Sequence, residues 1–386
     1  MVEDEFNEIG HCGGHFKITV ITDEDGRRKY QLSFSHSRPT PASFFAIYAL
    51  PQGIPVDTIQ LEGMGVQWNP PPTSDCFSIF IASDNQSCFG HTCPKCLNYW
   101  RSDGVPSHWP MTCPYCGLRT KTHQFLTEGQ LKYVEACCKF FNEALDSPDD
   151  GTYSINMDEV ADAVGKKTKK PKFYYAEESQ QNKFTCNACG NFNDILGKYG
   201  YCSSCGTRND LQELEEKIIP SIRNKIKKGG SFEACVKDVV SAFDSFAGKY
   251  LEQLVNRIPM TPARKKTFSK MRFHNLEKVS DELKSAFDIK IFKEINLKEI
   301  EFSILMFHRR HIYEHKGGEA DEKYIKDSGD ASVRPKQELK ETKVSSEKIT
   351  DLVVKMGQNL HEGFHSIFPP EKMPITYHEK RYRNTQ

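Results

Sequence analysis

The chain has 386 residues, enough for two or three domains, and its 52 basic residues are balanced by 52 acidic ones. A net charge of zero argues against a protein that coats duplex DNA through a basic surface, although it allows an enzyme that acts on nucleic acid at one local basic site. No run approaches the roughly 18 apolar residues that span a membrane, and the acidic start of the chain lacks a secretory signal, so we expect a cytoplasmic protein.

Residues 1–90 predict a β-rich module. The runs at 16–22 and 30–35 are rich in β-branched and aromatic residues, and the turn sequence at Gly26 between them indicates a hairpin. Further short runs of this kind lie at 43–50, 58–61 and 77–82. A proline-rich break at 69–72 interrupts the pattern, and the module contains no catalytic constellation.

Eight of the fourteen cysteines form two matched sets, each made of two C-x2-C pairs. The first set is Cys93, Cys96, Cys113 and Cys116, and the second is Cys186, Cys189, Cys202 and Cys205. Because a chain without a secretory signal stays in a reducing compartment, disulfides are disfavoured, and two such pairs complete a tetrahedral S4 metal site. The pattern predicts two zinc ions. Iron is the alternative metal, since spacing does not distinguish the two.

Both cysteine sets resemble the zinc-ribbon family, which leaves two roles open. A ribbon can be a purely structural element, or it can bind nucleic acid or a partner protein. Five residues predict an aromatic and basic face on the first ribbon: Lys95, Tyr99, Trp100, Tyr115 and Arg119.

A helix and a connector separate the two ribbons. Thr127 and Gln130 form a capping box, and apolar residues at helical spacing follow as far as Leu145. Residues 147–183 are acidic, then basic at 166–172, then polar, which predicts a linker between domains. The predicted organisation is therefore a first ribbon plus helix at 91–146, a linker at 147–183 and a second ribbon at 184–210.

From residue 211 to residue 386 the chain predicts an all-α bundle of four or five helices. Apolar residues recur at helical spacing over 232–254, 300–312 and 349–364. A Gly-Gly pair ends the second of these helices and a Pro-Pro pair ends the third, which we expect to be the last. The predicted fold class is multidomain α+β, with a β-rich module, two zinc ribbons and a C-terminal helical bundle.

The densest group of chemically active side chains lies at the end of the second of these helices. His308, His311 and His315 share one helix face, and Arg309 and Arg310 lie among them. Such a surface has little value for stability, because histidine is a mediocre helix former and clustered cations repel. It suits attack on a phosphodiester, since arginine binds phosphate oxygens through two N–H groups and histidine exchanges protons near neutral pH.

The sequence Arg310-His311-x3-His315 resembles the R-x4-H motif of HEPN-domain ribonucleases. The Gly-Gly-x-x-Asp-x-x-Tyr pattern at 317–324 resembles the segment that follows the motif in several HEPN subfamilies, and the whole resemblance covers about residues 230–370. It implies a HEPN-like helical fold and an endoribonuclease that needs no metal or other cofactor for catalysis. The products would carry 2′,3′-cyclic phosphate and 5′-hydroxyl ends.

The resemblance also implies a homodimer in which two motifs form one composite site on RNA. Arg310 would stabilise the scissile phosphate, His315 would be the general acid or base, and His311 would orient the substrate or the other histidine. Arg310 and His315 are about 140° apart around an ideal helix, so both reach one phosphate only if the helix ends or bends there or if a second chain contributes. HEPN nucleases commonly serve toxin and antiphage systems, which implies a defence role and leaves room for a protein partner or inhibitor.

Three other interpretations stay open. The histidines could chelate zinc, although two arginines beside them oppose a cation. His361, Glu362 and His365 form H-E-x-x-H, the signature of zinc peptidases, although a glycine interrupts that helix and only 21 residues remain to supply a third ligand. The third interpretation is a non-catalytic zinc-ribbon module that binds RNA or protein, which the intact arginine–histidine motif disfavours.

Overall fold

The computed structural model of the protein describes residues 6–7, 13–37, 43–61, 75–84, 86–165, 177–178, 180–271, 273 and 275–383. The chain forms two compact units. One comprises Met1–Thr207 with Glu371–Gln386 and is called the β-rich unit, and the other, Arg208–Pro370, is called the helical unit. The predicted α+β class is confirmed, with sheets in the first half of the chain and helices in the second.

Among the described residues, the strands all lie in the β-rich unit. In chain order they are β1 (Phe6–Asn7), β2 (His15–Thr22), β3 (Arg28–Ser35), β4 (Phe44–Ala49), β5 (Pro55–Leu61), β6 (Phe77–Ala82), β7 (Phe89–Thr92), β8 (Tyr99–Ser102), β9 (Met111–Thr112), β10 (Arg119–Thr120), β11 (Gly151–Asn156), β12 (Glu177–Glu178), β13 (Asn182–Thr185) and β14 (Phe192–Ile195). They pair into sheets ordered β11-β2-β3, β5-β4-β6 and β13-β14-β8-β7, with the two-stranded pairs β9-β10 and β1-β12.

The helices lie in both units. They are α1 (Glu128–Asp146), α2 (Met157–Gly165), α3 (Asp210–Glu213), α4 (Ile219–Lys227), α5 (Phe232–Arg257), α6 (Pro262–Ser269), α7 (Leu276–Phe287), α8 (Leu297–His315), α9 (Glu322–Ser328), α10 (Lys343–Ile367) and α11 (Lys372–Arg383). A 3₁₀ turn spans Thr122–Phe125 and a π-helical turn spans Leu214–Ile218. Within the described ranges, no helix is both long enough and apolar enough to cross a membrane.

Aromatic side chains join two three-stranded sheets into the core of the β-rich unit. The ring of Phe80 on β6 lies 5.5 Å from Phe16 on β2 and 4.4 Å from Phe34 on β3, measured between centroids. Helix α1 closes this core, because its Phe141 lies 5.7 Å from Phe16 and 5.1 Å from Phe77. The capping box predicted at the start of α1 is confirmed. The aromatic runs predicted as strands therefore build one shared core.

The predicted hairpin is confirmed, since β2 and β3 pair along their whole length. The predicted linker at 147–183 is wrong in its first part: β11 pairs with the edge of β2, and α2 buries Met157 and Ala161 in the same core. The linker is predicted from the charged residues of this segment. That reasoning overlooks the short alternation of inward and outward residues that forms a strand. The basic stretch 166–172 and the proline-rich stretch 69–72 lie outside the described residues.

The two ribbons share one sheet. Strand β14 of the second ribbon pairs with β8 of the first, which places Asp194 opposite Arg101 and Asn193 opposite Ser102. The ribbons also share one apolar cluster that contains cysteines of both sets. The second ribbon is therefore not a separate module on a linker, because its backbone completes the sheet of the first.

A charged cluster is buried where the ribbons join. The side chain of Arg101 is fully buried and forms ion pairs with Asp84 and with Asp194, the latter at 2.6 Å. Burial alone would lower the pKa of Arg101, but the hydrogen bond to Asp194 and the charge of Asp84 raise it above its ordinary value, so the guanidinium stays charged. Gln86 accepts a further hydrogen bond from it at 3.3 Å. Residues from distant parts of the sequence thus meet at one cation.

Helices α5 and α10 form the centre of the helical unit. The predicted apolar stripe of α5 is buried along its length, and its Tyr250 ring lies 5.0 Å from that of Phe364 on α10. Gly363 permits close packing, because a Cβ at that position would lie 2.8 Å from Cγ2 of Ile289. The glycine that weakens α10 as an isolated helix is therefore required by its neighbour.

The helical unit ends at Pro370, so the predicted domain 211–386 includes one helix too many. After the proline pair, α11 returns to the β-rich unit. There Glu371 accepts a hydrogen bond from Arg119 at 2.9 Å, and its backbone N–H donates to the carbonyl of Cys205 at 2.7 Å. The helical unit also contains several short helices beyond the four or five predicted. The proline pair ends α10 but carries no information about where the next segment packs.

We expect Arg101→Met to destabilise the β-rich unit by about 3–5 kcal/mol, because it leaves two buried carboxylates without a counter-charge. Urea unfolding followed by tryptophan fluorescence measures this unit, since all three tryptophans precede residue 208. Arg119→Met is the matched control: its ion pair with Glu371 is partly exposed, and its loss should cost about 1 kcal/mol or less. Equal effects of the two substitutions would contradict a central role for the buried cluster.

Candidate functional site

The eight predicted cysteine ligands come together as two tetrads, and within each tetrad all Sγ atoms lie within 4.8 Å of one another. Individual Sγ separations are 3.6 Å (Cys93–Cys116), 3.7 Å (Cys96–Cys113), 3.7 Å (Cys186–Cys205) and 3.5 Å (Cys189–Cys202). A tetrahedral ion with metal–sulfur bonds of about 2.3 Å needs about 3.8 Å between sulfurs. Each tetrad could therefore hold one metal ion.

Tight backbone turns hold the paired cysteines in place. The residue after the second cysteine of each pair has positive φ, and its N–H donates to the carbonyl of the first cysteine, as Gly190 does to Cys186 at 2.7 Å. Glycine follows three of the four pairs, as the conformation demands. In the remaining pair Leu97 adopts φ of 61° and donates to Cys93 at 2.9 Å. The turn therefore has the same geometry at Leu97, although positive φ is unfavourable for a residue with a side chain.

The aromatic and basic face predicted on the first ribbon is not present. Trp100 is fully buried, and its ring lies 5.2 Å from Phe125. The hydroxyl of Tyr115 donates to the carbonyl of Tyr99 at 2.8 Å, and Arg119 is paired with a carboxylate at the start of α11. These side chains stabilise the ribbon and are not available as a continuous binding face.

The predicted catalytic residues lie at the C-terminal end of α8. A capping box at Asn296 starts this helix, which continues without a break to His315 and ends at Lys316. The bend considered between Arg310 and His315 is therefore absent. On a continuous helix these two side chains point about 140° apart, so one chain alone does not direct both at the same phosphate.

The structure brings two of the three predicted residues together. The rings of His311 and His315 have centroids 4.8 Å apart, and both residues are exposed. Arg310 lies on the flank of the helix, where its guanidinium donates to the Oγ of Ser241 on α5 at 3.3 Å. Among the described residues, His308 does not join the other two histidines in a group with metal-ligand geometry, so the three-histidine metal site is not supported.

Arg309 has a structural role. Its guanidinium is largely buried, and it forms ion pairs with Asp330 at 2.8 Å and Glu341 at 3.0 Å. Burial alone would raise the pKa of Asp330, but hydrogen bonds from Ser332, from Tyr324 and from the guanidinium lower it to about 2. Two neighbouring arginines therefore differ: Arg309 is neutralised by two carboxylates, whereas Arg310 is half-buried and bonded to a hydroxyl.

The segment 317–324, which resembles the region after the HEPN motif, folds back on α8. The carboxylate of Asp321 caps α9 by accepting a hydrogen bond from the N–H of Tyr324 at 2.7 Å. Tyr324 then packs with Ile312 and Leu339 in a small apolar core, and its hydroxyl donates to Asp330 at 2.6 Å. Within this chain, both residues of the pattern serve to attach the segment to α8.

Both histidines of the H-E-x-x-H motif on α10 form hydrogen bonds within the protein. Nε2 of His365 accepts a hydrogen bond from the N–H of Arg208 at 3.2 Å, and its Nδ1 donates to the carbonyl of Phe368 at 3.1 Å. Nδ1 of His361 is bonded to the hydroxyl of Tyr250 at 2.7 Å. Neither histidine belongs to a metal-ligating group of the described residues, so this geometry does not support a zinc peptidase.

Sequence reasoning missed a cavity of about 610 Å³ in the β-rich unit, lined in part by Asp103, Trp109, Tyr377 and Arg381. Two of these residues follow β8 and two belong to α11. No spacing rule connects segments so far apart in the chain, and only the return of α11 to this unit brings them together.

No family model matches this chain, and neither the curated proteins nor the solved structures include a significant match to it.

We expect purified protein to contain two metal ions per chain, one in each tetrad. Cys113→Ser and Cys202→Ser should each reduce the metal content by one ion or more, because a tetrad with three thiolates binds weakly. Elemental analysis after extensive dialysis measures this directly. Cys235→Ala, in a buried cysteine outside both tetrads, is the control and should retain the full content. Unchanged metal content in both serine variants would exclude these sites.

Arg309→Met should destabilise the helical unit by about 3–5 kcal/mol, because two buried carboxylates lose their counter-charge. Arg310→Met is the matched neighbour and should cost about 1 kcal/mol or less, since it removes only hydrogen bonds to a hydroxyl. Far-ultraviolet circular dichroism during urea unfolding provides the comparison.

The pH dependence of the free energy of unfolding gives a second test of the cluster around Arg309. The stabilisation from Asp330 is complete above its ordinary pKa of about 4, and it is lost as the pH falls towards its folded value of about 2. Arg309→Met should weaken this dependence, whereas Arg310→Met should leave it unchanged. The reverse order of effects would show that the buried arginine is misassigned.

Proposed function

We propose that this protein is a metal-independent endoribonuclease of the HEPN type, with zinc in both cysteine tetrads as a structural element. The proposal rests on the end of α8, where His311 and His315 lie side by side on one face and Arg310 lies on the flank of the same helix. Among the described residues Arg310 forms no ion pair, in contrast to its neighbour Arg309. A guanidinium without a counter-charge and two exposed histidines at the same end of one helix suit an anionic substrate.

The reaction uses groups that RNA and this helix supply. The ribose 2′-oxygen forms a bond to phosphorus while the bond from phosphorus to the 5′-oxygen breaks. One histidine takes the proton of the 2′-hydroxyl, and a second histidine gives a proton to the departing 5′-oxygen. The guanidinium of Arg310 binds the non-bridging oxygens as their charge increases. The products are a 2′,3′-cyclic phosphate and a 5′-hydroxyl.

A second copy of the chain completes the site. Arg310 and His315 point about 140° apart on an unbroken helix, so the arginine of one copy has to meet the histidine of another at the same phosphate. In a dimer with twofold symmetry each contact occurs twice, so the composite site contains two equivalent pairs of Arg310 and His315. The exposure of His311 and His315 leaves this end of α8 open to such a contact.

The basic surface of helix α6 favours RNA as the substrate. Arg264, Lys265, Lys266 and Lys270 lie on or directly after this helix and are all exposed. Among the described residues none of them forms an ion pair, and Arg264 lies over the ring of Phe268. Four cations without counter-charges favour a polyanion through counterion release, even though the chain as a whole has no net charge.

Zinc fits the cysteine tetrads because four thiolates in a tetrahedron suit a soft, redox-inert cation. Its role is to stabilise the β-rich unit, since it takes no part in the proton transfers. The resemblance to HEPN nucleases, which serve toxin and antiphage systems, extends the proposal to a role in defence against foreign RNA.

Arg310→Ala and His315→Ala should each reduce RNA cleavage at least about 100-fold, because each removes a group that acts on the reacting phosphate. Total RNA is incubated with the protein in EDTA, and new 5′-hydroxyl ends are counted. Lys298→Ala lies in the first turn of the same helix and is the control with unchanged activity. Cleavage that persists in either site variant, or that stops in EDTA while the protein remains folded, contradicts the proposal.

Mixing the two inactive variants tests the composite site. In a dimer that contains one Arg310→Ala chain and one His315→Ala chain, one of the two arginine–histidine pairs of the composite site regains both native residues, so random pairing restores about a quarter of the activity. No recovery after subunit exchange would contradict a site shared between copies. RNA binding without turnover by the unmodified protein would favour a non-catalytic binding module.

A further inference from the structure

The cavity of about 610 Å³ lies entirely within the β-rich unit, whereas the motif on α8 belongs to the helical unit. One wall is the segment 103–109 between β8 and β9, a second is the metal-binding turn at 189–191, and a third is α11. Its size falls within the range of about 300–1,000 Å³ that small-molecule sites occupy.

Close packing gives this cavity a defined shape. A Cβ at Gly190 would lie 2.5 Å from the ring of His378, so α11 rests directly against the metal-binding turn. A Cβ at Gly104 would lie 2.8 Å from Oδ1 of Asn191, so the opposite wall is equally close to the second ribbon. Two glycines therefore bring three segments together without filling the space between them.

Two aromatic rings line the cavity. Trp109 and Tyr377 have ring centroids 6.1 Å apart and planes inclined by 34°. The indole of Trp109 is held in place because its Nε1 donates to the Oγ of Ser204 at 3.3 Å. Tyr377 is 51% exposed, so its ring is accessible to a ligand. The rings present a surface on which a flat ligand can stack.

Charged groups of opposite sign accompany the rings. The carboxylate of Asp103 accepts a hydrogen bond from the N–H of Phe192 at 2.9 Å, which leaves further lone pairs for a ligand. Desolvation raises the pKa of Asp103 to about 6, so it is mainly ionised at neutral pH. Arg381, on α11, supplies a guanidinium at the same cavity. A ligand that fits is therefore flat, offers N–H donors and carries an anionic group.

We propose that this cavity binds a nucleotide, with the base stacked on Trp109 and Tyr377, its N–H groups donating to Asp103, and its phosphate paired with Arg381. Guanine is the preferred base, because its Watson–Crick edge presents two adjacent N–H donors to one carboxylate. Stacking on aromatic side chains is the usual way in which proteins hold an unpaired base. The nucleotide can be free in solution or part of a single-stranded RNA.

Tryptophan fluorescence measures the binding directly. Of the tryptophans that the structure describes, Trp100 is fully buried, so a base that enters the cavity should quench Trp109. Titration with guanosine 5′-monophosphate is expected to quench the emission in a saturable way and more tightly than adenosine 5′-monophosphate. A guanine-containing RNA oligonucleotide, added to the His315→Ala variant so that it is not cut, distinguishes an RNA site from a site for the free nucleotide.

Single substitutions in the cavity lining test each proposed contact with the nucleotide. Tyr377→Ala, Asp103→Asn and Arg381→Gln should each weaken the binding about tenfold, since each removes one contact with the nucleotide. Lys380→Gln, the neighbouring cation on α11 outside the cavity lining, should leave it unchanged. Isothermal titration calorimetry verifies the affinities, and circular dichroism verifies the fold of each variant.

The proposal is overturned if neither the mononucleotides nor the oligonucleotide bind saturably to the folded protein, or if Lys380→Gln weakens binding as much as Arg381→Gln. Equal affinity for guanine and adenine nucleotides would contradict the role of Asp103. Because binding is measured without cleavage, failure of the ribonuclease proposal leaves this test intact, and the converse also holds.

Discussion

The buried guanidinium of Arg101 is the interaction on which the β-rich unit depends most. It lies between Asp84, which follows β6, and Asp194, which lies on β14 of the second ribbon. An arginine without solvent requires its carboxylates, and the carboxylates require the arginine, because each isolated charge would carry a large desolvation cost. The segment after β6 and both ribbons therefore meet at one buried cluster, and the ribbons place the two cysteine tetrads in one shared apolar cluster.

This arrangement gives the turns of the cysteine tetrads a second use. The turn at Gly190 supports α11, and α11 in turn supplies Tyr377 and Arg381 to the cavity. A metal ion in the second tetrad would fix that turn and so fix one wall of the proposed nucleotide site. The helical unit carries the proposed reaction centre, so recognition and chemistry are assigned to different units of the chain.

The two arginines at the end of α8 have different roles because they pack against different neighbours. Arg309 points into a cluster with Asp330 and Glu341, where its charge is neutralised. Arg310, one position further along the helix, is rotated by about 100° and donates to the hydroxyl of Ser241, with no ion pair among the residues that the structure describes. The short segment that follows α8 supplies the acids, so the fold of that segment decides which arginine remains available to a phosphate.

The sequence by itself determined the features that depend on local chemistry: the cysteine tetrads from C-x2-C spacing, the hairpin of β2 and β3, the capping box of α1, and the long amphipathic helices α5, α8 and α10. Only the tertiary structure decided that β11 joins the first sheet, that the ribbons share strands, that α11 returns to the β-rich unit, and that the histidines of α10 are occupied. These outcomes arise from contacts between distant segments, whose free energy depends on burial and on matching of buried charges. Local periodicity in the sequence contains no information about burial between distant segments or about the matching of their buried charges.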